Sequence, residues 1–403
     1  MRMNDLPKER SQPRVLHLGH TTEIGGAEMA LARLLESSTR GWNAHLLIPR
    51  KPRSNGAFSE LASPIISRVG PAQAPGATSS GRSIGALLRF ALSGVTQAVL
   101  IRTNSSFRTA DVLHANTSRS AIYAALAALS CRTPLVIHLR DMVSRESLGA
   151  LGYELFTRLV LRRADGVIAN SGATLDSALP HLRASTHSEV IPSPAGITTV
   201  AHSIEAARRA ARPVDVIGMV ARVDEWKGHE VLLRAFSAAF AGSHVRLKLA
   251  GGTPFANADY QRKLLTLCED LGVTDQVEWL GHVTDVPTFI ASLDVCVQSS
   301  IRPEPLGQNV LQYLAAGKPT VAVDAGGPAE WIENETTGIL TDMGDVDALA
   351  DALTRLADDQ ELRVALATNA PTTVADATDE IVTQRHAAFF RQVVGRRPGQ
   401  VGP

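Results

Sequence analysis

The chain has 403 residues, with 40 basic and 40 acidic side chains cancelling to no net charge and a pI near 7.2. That balance excludes a broad cationic field for nucleic acid, and the length suits two domains or three, each burying its own core. Cys131, Cys268 and Cys296 are odd in number, far apart and lack a C-x-x-C pair, so neither a disulfide framework nor a cysteine zinc site is expected and a reducing cytosol is favoured.

The first ten residues are polar, lack the apolar core of a signal peptide, and read as a disordered lead-in. Short apolar runs then alternate with amphipathic segments. Val15 to Leu18, Ala44 to Ile48, Val112 to Leu113, Leu135 to Ile137 and Gly166 to Ala169 read as strands; Ala27 to Leu35, Ser120 to Leu129 and Leu151 to Leu161 read as helices. This alternation predicts a parallel sheet covered on both faces, where ligands bind beyond the carboxyl ends of the strands.

The first strand leads into a turn in which Gly25 and Gly26 leave room for a ligand at a helix start, without forming G-x-G-x-x-G. His17 and His20 are spaced to point to opposite faces of a strand, which argues against a metal pair. The run Ile84 to Ile101 is interrupted by Arg89, Ser93, Gly94, Thr96 and Gln97, too often for a membrane-spanning helix. With Arg82, Arg89, Arg102 and Arg108 beside it, it reads either as a buried domain helix or as a helix lying on anionic lipid. The strand before Asp141 ends in Val-Ile-His-Leu-Arg-Asp, which puts His138 at a carboxyl end where site residues belong. Asn116, Arg140 and Asp141 are further site candidates beside it, with a solvated loop as the alternative.

Residues 192–213 carry Pro-Ser-Pro-Ala-Gly and little sheet pattern, and read as the join between two similar halves. The second half repeats the alternation, with strands at Val214 to Val220, Arg246 to Ala250, Val277 to Leu280, Asp294 to Val297 and Thr320 to Val323. Arg222 and Lys227 follow the first of these strands. Asp324-Ala-Gly-Gly-Pro reads as a tight turn, with Glu330 beyond it.

The stretch Arg302 to Pro319 is the most informative. Arg302-Pro-Glu-Pro is a loop, a helix starts near Leu306, and Gly317 with Pro319 ends it. Val310, Leu311, Leu314 and Ala315 form its buried stripe, leaving Gln308, Asn309 and Gln312 on the opposite face. Free amides around Leu306 and Gly307 suit a diphosphate. Gln312 lies about 9 Å further along the axis at 1.5 Å per residue, so a sugar near Glu304, a diphosphate at the helix start and a ribose near Gln312 fit one nucleotide sugar.

These residues resemble the fingerprint of the family-four retaining glycosyltransferases of GT-B fold: a Glu, a second Glu eight positions on, Phe-Gly after the first, and an Ala-x-Gly-x-Pro tail. Here they are Glu304, Leu306-Gly307, Gln312 and Ala315 to Pro319. Leu306 replaces Phe, and Gln312 replaces the second Glu; its oxygen still accepts a hydrogen bond, without the charge. The resemblance implies an α/β GT-B fold, two Rossmann-like domains facing across a cleft: an acceptor-side domain over 14–195, a donor-binding domain over 213–375, and a last helix, 379–394, that crosses back. It implies a metal-independent hexosyltransferase that retains anomeric configuration and uses a UDP- or GDP-linked donor with no cofactor. Glu304 would hold sugar hydroxyls and His138 would orient the sugar. Arg222, Lys227, Leu306 and Gly307 would hold the diphosphate, Val283 the base and Gln312 the ribose, with the Gly25-Gly26 turn facing the substrates. The acceptor is a hydroxyl compound of envelope glycan or glycosylated metabolite synthesis, and the location is cytoplasmic or membrane-peripheral. A nucleotide-sugar epimerase and a non-catalytic pseudo-transferase of the same fold are the alternatives.

Overall fold

The computed structural model describes residues 12–50, 56–59, 61, 66–70, 84–253 and 258–396, with the side chains of 84–91 and 258 excepted. The expected lead-in over the first ten residues, the tail beyond Arg396 and Arg82 lie outside the described residues, as does the Arg89 side chain.

The chain forms two compact units. The first comprises residues 1–170, 174–191 and 382–403; the second comprises 171–173 and 192–381. The first unit carries β1 (Arg14–Leu18), β2 (Asn43–Ile48), β3 (Ile66–Arg68), β4 (Val112–Ala115), β5 (Leu135–Leu139), β6 (Gly166–Ala169) and β7 (His187–Val190), paired in parallel in the order β3-β2-β1-β4-β5-β6-β7. The second carries β8 (Val216–Val220), β9 (Arg246–Ala250), β10 (Val277–Gly281), β11 (Val295–Val297), β12 (Thr320–Val323) and β13 (Ile339–Thr341), also parallel, in the order β10-β9-β8-β11-β12-β13. In each sheet the order reverses once, between β1 and β4 and between β8 and β11. The loops after these strands are therefore where a doubly wound sheet binds its ligand.

Strand alternation decides what each face buries. In the first unit Leu16, Leu113, Leu135 and Ile137 pack with Ala121, Ala124, Phe156 and Val160, while Val15, Val112, Val136 and Ile168 pack with Phe389, Phe390 and Val393. Those last three belong to the Asp379–Gly395 helix. In the second unit Ile217, Met219, Leu247, Leu249, Val295 and Val297 pack with Leu232, Phe236, Leu264 and Leu353. Ala322 meets Leu311 and Leu314 in a separate cluster.

The expected join over 192–213 is a linker only in its first part. Ser203–Ala210 is a helix of the second unit, and its Ala206 and Ala210 bury against Ala367. The polar residues from Glu205 to Arg212 are that helix's outer face together with its end, which is why the segment shows no sheet pattern. The Ile84–Thr103 run is one helix, and among the described residues no helix is long and apolar enough to cross a membrane.

Candidate active site

In the second unit, β8 delivers the chain to Arg222, which is exposed. A one-turn 3-10 helix over Glu225–Lys227 follows, closed by Gly228 at φ 72°. A Cβ on Gly228 would stand 1.7 Å from the Ser299 carbonyl oxygen, so only glycine fits here. The turn is stitched to the loop after β11: Ser299 Oγ donates to the Gly228 carbonyl at 3.1 Å, and the Ile301 N–H donates to the Trp226 carbonyl at 2.9 Å. This stitching sets Lys227 Nζ 2.8 Å from Glu304 Oε1, both side chains nearly buried. The ammonium also lies over the Trp226 ring, 3.9 Å from its centroid.

Three donors meet on the same Glu304 oxygen: Lys227 Nζ, Gln298 Nε2 at 3.0 Å and Ser300 Oγ. Burial alone would push this carboxyl up, but Lys227, Ser300 and Gln298 outweigh it and hold the group below its ordinary value. Burial and then the neighbouring Arg222 charge pull the Lys227 ammonium below its own ordinary value, against the attraction of Glu304. The Glu304 backbone is fixed too. It bridges to Gly326, and its carbonyl accepts from the Gly327 N–H at 2.8 Å, so the glycine turn after β12 is a support for Glu304.

Two residues after Pro305, Gly307 caps the Gln308–Ala315 helix at φ 70°, and a Cβ there would lie 2.8 Å from Pro328 Cγ. Among the described residues, the backbone N–H groups of Leu306 and Gly307 donate no hydrogen bond. These two amides at the positive end of the helix are thus unsatisfied beside Lys227 and Glu304. The expected polar outer face of this helix is corrected: Asn309 is buried, donating from Nδ2 to the Val220 carbonyl at 3.1 Å, and the Tyr313 hydroxyl accepts from the Val220 N–H at 2.7 Å. Both tie the helix to the end of β8. Gln312 donates Nε2 to the Ala195 carbonyl at 2.7 Å, leaving Oε1 as its acceptor. Val283 is half-buried and packs with Phe289, Ile290 and Tyr313.

In the first unit the loops after β1, β4 and β5 converge. Asn116 Nδ2 donates to the Ala27 carbonyl at 3.1 Å in the first turn of the Gly26–Glu36 helix, whose N-cap is Gly25. Arg140 Nη2 donates to Asn116 Oδ1 at 2.8 Å and Nε to the Asn116 carbonyl at 3.1 Å. Burial brings this guanidinium down to about 10, with Glu28 and the exposed Asp141 pulling it back up. Burial raises the Glu28 carboxyl. His20 pairs with Thr117 Oγ1 at 2.9 Å, and burial brings its ring down to about 4.

His138 requires a correction as a sugar-orienting residue. Its ring is 0% exposed, on the β5 face covered by the last helix, with ring centroids 5.4 Å from His386 and 5.6 Å from His114. Being before the final residue of the strand, it follows the strand's alternation into the core; Arg140, beyond the strand end, reaches the Asn116 loop instead. The neighbours Gln298, Ser300, Trp226 and Glu28 were not singled out from the sequence, and Gly326 and Gly327 were read only as a tight turn. The Gln-Ser-Ser run directly after the buried strand Val295–Val297 was the available signal: polar side chains leaving a core strand need partners.

Two family models match, "Glycosyl transferase 4-like domain" over residues 25–194 and "Glycosyl transferases group 1" over residues 204–373. The chain belongs to the group 1, family-four glycosyltransferases of GT-B fold. Relatives of this GT-B chain include the lipopolysaccharide core biosynthesis glycosyltransferase LpsE of Rhizobium meliloti, 32% identical over 38% of this chain and 42% of the relative. A D-inositol 3-phosphate glycosyltransferase of Corynebacterium urealyticum is 29% identical over 44% of this chain and 43% of the relative. The matches thus span about half the length of these curated relatives. Among solved structures, Anabaena HepE in complex with UDP and glucose superposes with a TM-score of 0.76 at 24% identity, over 94% of this chain and all of that one. Sucrose-phosphate synthase of Thermosynechococcus elongatus does so with a TM-score of 0.75 at 19% identity, over 95% and 99%. At these identities the superpositions speak for the fold.

Proposed function

We propose that this protein is a metal-independent, retaining hexosyltransferase that moves a sugar from a UDP-sugar to a hydroxyl of an envelope glycan or glycosylated metabolite. The observation that carries the reading is the meeting of Lys227, the supported carboxylate of Glu304 and the unsatisfied amides of Leu306 and Gly307 in one unit. Nucleotide-sugar use is supported by the UDP and UDP-glucose complexes of HepE, and the acceptor class by the names of the lipopolysaccharide-core and inositol-phosphate relatives.

In this proposal the bond between the anomeric carbon and the diphosphate oxygen breaks while the acceptor oxygen bonds to the same face, and the acceptor proton passes to the departing phosphate. The nucleoside diphosphate then leaves, and no protein nucleophile is required. Charge developing on the diphosphate is met by Lys227, Arg222 and the Leu306 and Gly307 amides. Glu304 accepts from sugar hydroxyls, Gln312 Oε1 from the ribose, and Val283 lies by the base. In the first unit we assign the Gly25-Gly26 turn, Asn116, Arg140 and Asp141 to the substrates, with Arg140 replacing His138 as the polar group after β5.

Membrane-peripheral action in the cytoplasm belongs to the same proposal. On the Ile84–Thr103 helix Leu92, Val95 and Val99 fall on one face and are 69%, 52% and 55% exposed; Arg102 and Arg108 are exposed nearby, and residues 82–110 contain no acidic side chain. An apolar face with arginine close to it in sequence, and no acid, is the chemistry that anionic lipid receives.

The test is incubation with UDP-sugars and hydroxyl acceptors, reading products and their anomeric configuration by NMR. Transfer with retained configuration, unaffected by chelator, is expected, with turnover strongly reduced in Arg222→Ala and Lys227→Ala. Epimerised sugar without acceptor, or binding without turnover, would replace this reading by the corresponding alternative.

A further inference from the structure

Glu304 receives its donors unevenly. Lys227, Gln298 and Ser300 all address Oε1, and among the described residues no hydrogen bond reaches Oε2. A carboxylate with one oxygen held three ways and the other open has its open lone pairs aimed in a fixed direction. Of the three holders, Lys227 is the one that the proposed function also asks to meet a diphosphate. If Lys227 alone oriented Glu304, drawing its ammonium toward phosphate would release the carboxylate just when the sugar has to be gripped.

Gln298 removes that conflict. It is 2% exposed, directly after β11, and its backbone N–H donates to the Val321 carbonyl at 2.9 Å. Its side-chain Oε1 accepts the Val323 N–H of β12 at 3.0 Å. That bond fixes the amide's orientation, because the flipped form would set an NH2 group against an N–H donor. Nε2 is therefore committed to Glu304. Ser300, 1% exposed, adds its hydroxyl to the same oxygen.

We infer that Gln298, assisted by Ser300, is a positioning residue that locks the Glu304 carboxylate to the carboxyl ends of β11 and β12, so that sugar recognition by Oε2 is kept independent of phosphate recognition by Lys227. This rests on the donor-site reading above. It adds a separation of the two recognition tasks: Lys227 is exchanged between partners, whereas the neutral amide and hydroxyl stay with Glu304 throughout.

The experiment measures Kd for UDP and UDP-glucose, and for GDP and GDP-mannose, by calorimetry on the full chain and on Gln298→Leu, Ser300→Ala and Lys227→Ala. The readout is the ratio of the nucleoside diphosphate Kd to the nucleotide-sugar Kd, which isolates the sugar's share of binding and is insensitive to a general loss of folded protein. In Gln298→Leu the ratio is expected to fall about tenfold, the worth of one lost hydrogen bond to a charged group, with nucleoside diphosphate affinity within about twofold of the parent. Ser300→Ala should move the ratio in the same direction, and serves alone if Gln298→Leu does not fold. Lys227→Ala should weaken nucleoside diphosphate itself. Equal losses for both ligands in the Gln298 and Ser300 variants, or no loss in either, would overturn the inference while leaving the donor site standing. Failure of the parent protein to bind any of the four ligands would overturn both.

Discussion

Replacing His138 by leucine separates a core role from a catalytic one. His17, His114 and His138 form a row on β1, β4 and β5, and His386 of the last helix lies over them; all four rings are 0% exposed. Trp42 Nε1 donates to His17 Nε2 at 2.9 Å, so Nδ1 carries the His17 proton and donates to His114 Nδ1 at 2.8 Å. His386 Nδ1 donates to the Val382 carbonyl at 2.7 Å, and among the described residues neither nitrogen of His138 has a hydrogen-bond partner. Burial brings His17 and His386 down from 6.5 to about 3, and holds His114 and His138 well below 6.5; Arg40, Arg140, Arg385 and His45 push the same way. The folded unit therefore keeps four neutral rings that the unfolded chain protonates below about pH 6.5, so stability is intact above that value and falls as pH drops from there toward about 3. Each ring contributes a slope of about 1.4 kcal/mol per pH unit, so His17 and His386 together account for about 4 kcal/mol at about pH 5. That is a large part of the roughly 5–15 kcal/mol that holds a domain together. His138→Leu removes one proton from the balance and two unpartnered buried nitrogens. We expect stability at about pH 7.5 unchanged or higher, a loss between about pH 7 and about pH 5 that is shallower by up to about 1.4 kcal/mol per pH unit, and unchanged turnover. The assay is urea unfolding across that range, with hydrogen exchange assigning the loss to the first unit. A strong fall in turnover without loss of stability would refute the core role. Equal pH slopes in parent and variant would refute the linkage.

Lys227→Ala leaves Glu304 buried without its cation, and is expected to lower turnover about 10²–10³-fold and to destabilise the second unit by about 3–5 kcal/mol, read by steady-state rates and denaturant unfolding. Gln312→Glu exchanges an amide that donates to the Ala195 carbonyl for a carboxylate that repels it. Restoring the family's acid should therefore weaken nucleotide binding and cost about 1–3 kcal/mol of stability; tighter binding at full stability would show that the Ala195 contact is dispensable. Val95→Glu with Val99→Glu should abolish cosedimentation of the full chain with phosphatidylglycerol vesicles while leaving turnover on a soluble acceptor unchanged. Parent protein that ignores those vesicles would remove the lipid proposal.

Interior strands were readable from sequence because their apolar runs have no competing explanation: Gly166–Ala169, Arg246–Ala250 and Thr320–Val323 carry the bounds expected of them. The strands that escaped notice are β3, β7 and β13, at the edges of their sheets. β7 is His-Ser-Glu-Val, half-buried throughout, and leaves no hydrophobic trace. That Lys227, Glu304 and Gly307 come together was readable because they sit in loops whose glycines and prolines limit the backbone. Asn309 escaped because helical periodicity identifies one buried stripe but not a second wall, here the end of β8, pressing on the flank. His138 was misplaced for a related reason. A strand's last residues look alike in sequence whether they point toward a ligand or under a covering helix, and that helix lies almost 250 positions further along.

The distribution of the first unit along the chain bears on how it is made. Residues 192–381, with the short piece 171–173, make up the second body, whereas the β-sheet that begins at Arg14 waits for Val382, Phe389, Phe390 and Val393 to close one side. During synthesis the later body can therefore mature before the earlier one, reversing the usual N-terminal-first order. Until its final turns emerge from the ribosome, the nascent chain carries an uncovered apolar surface that a chaperone would recognise.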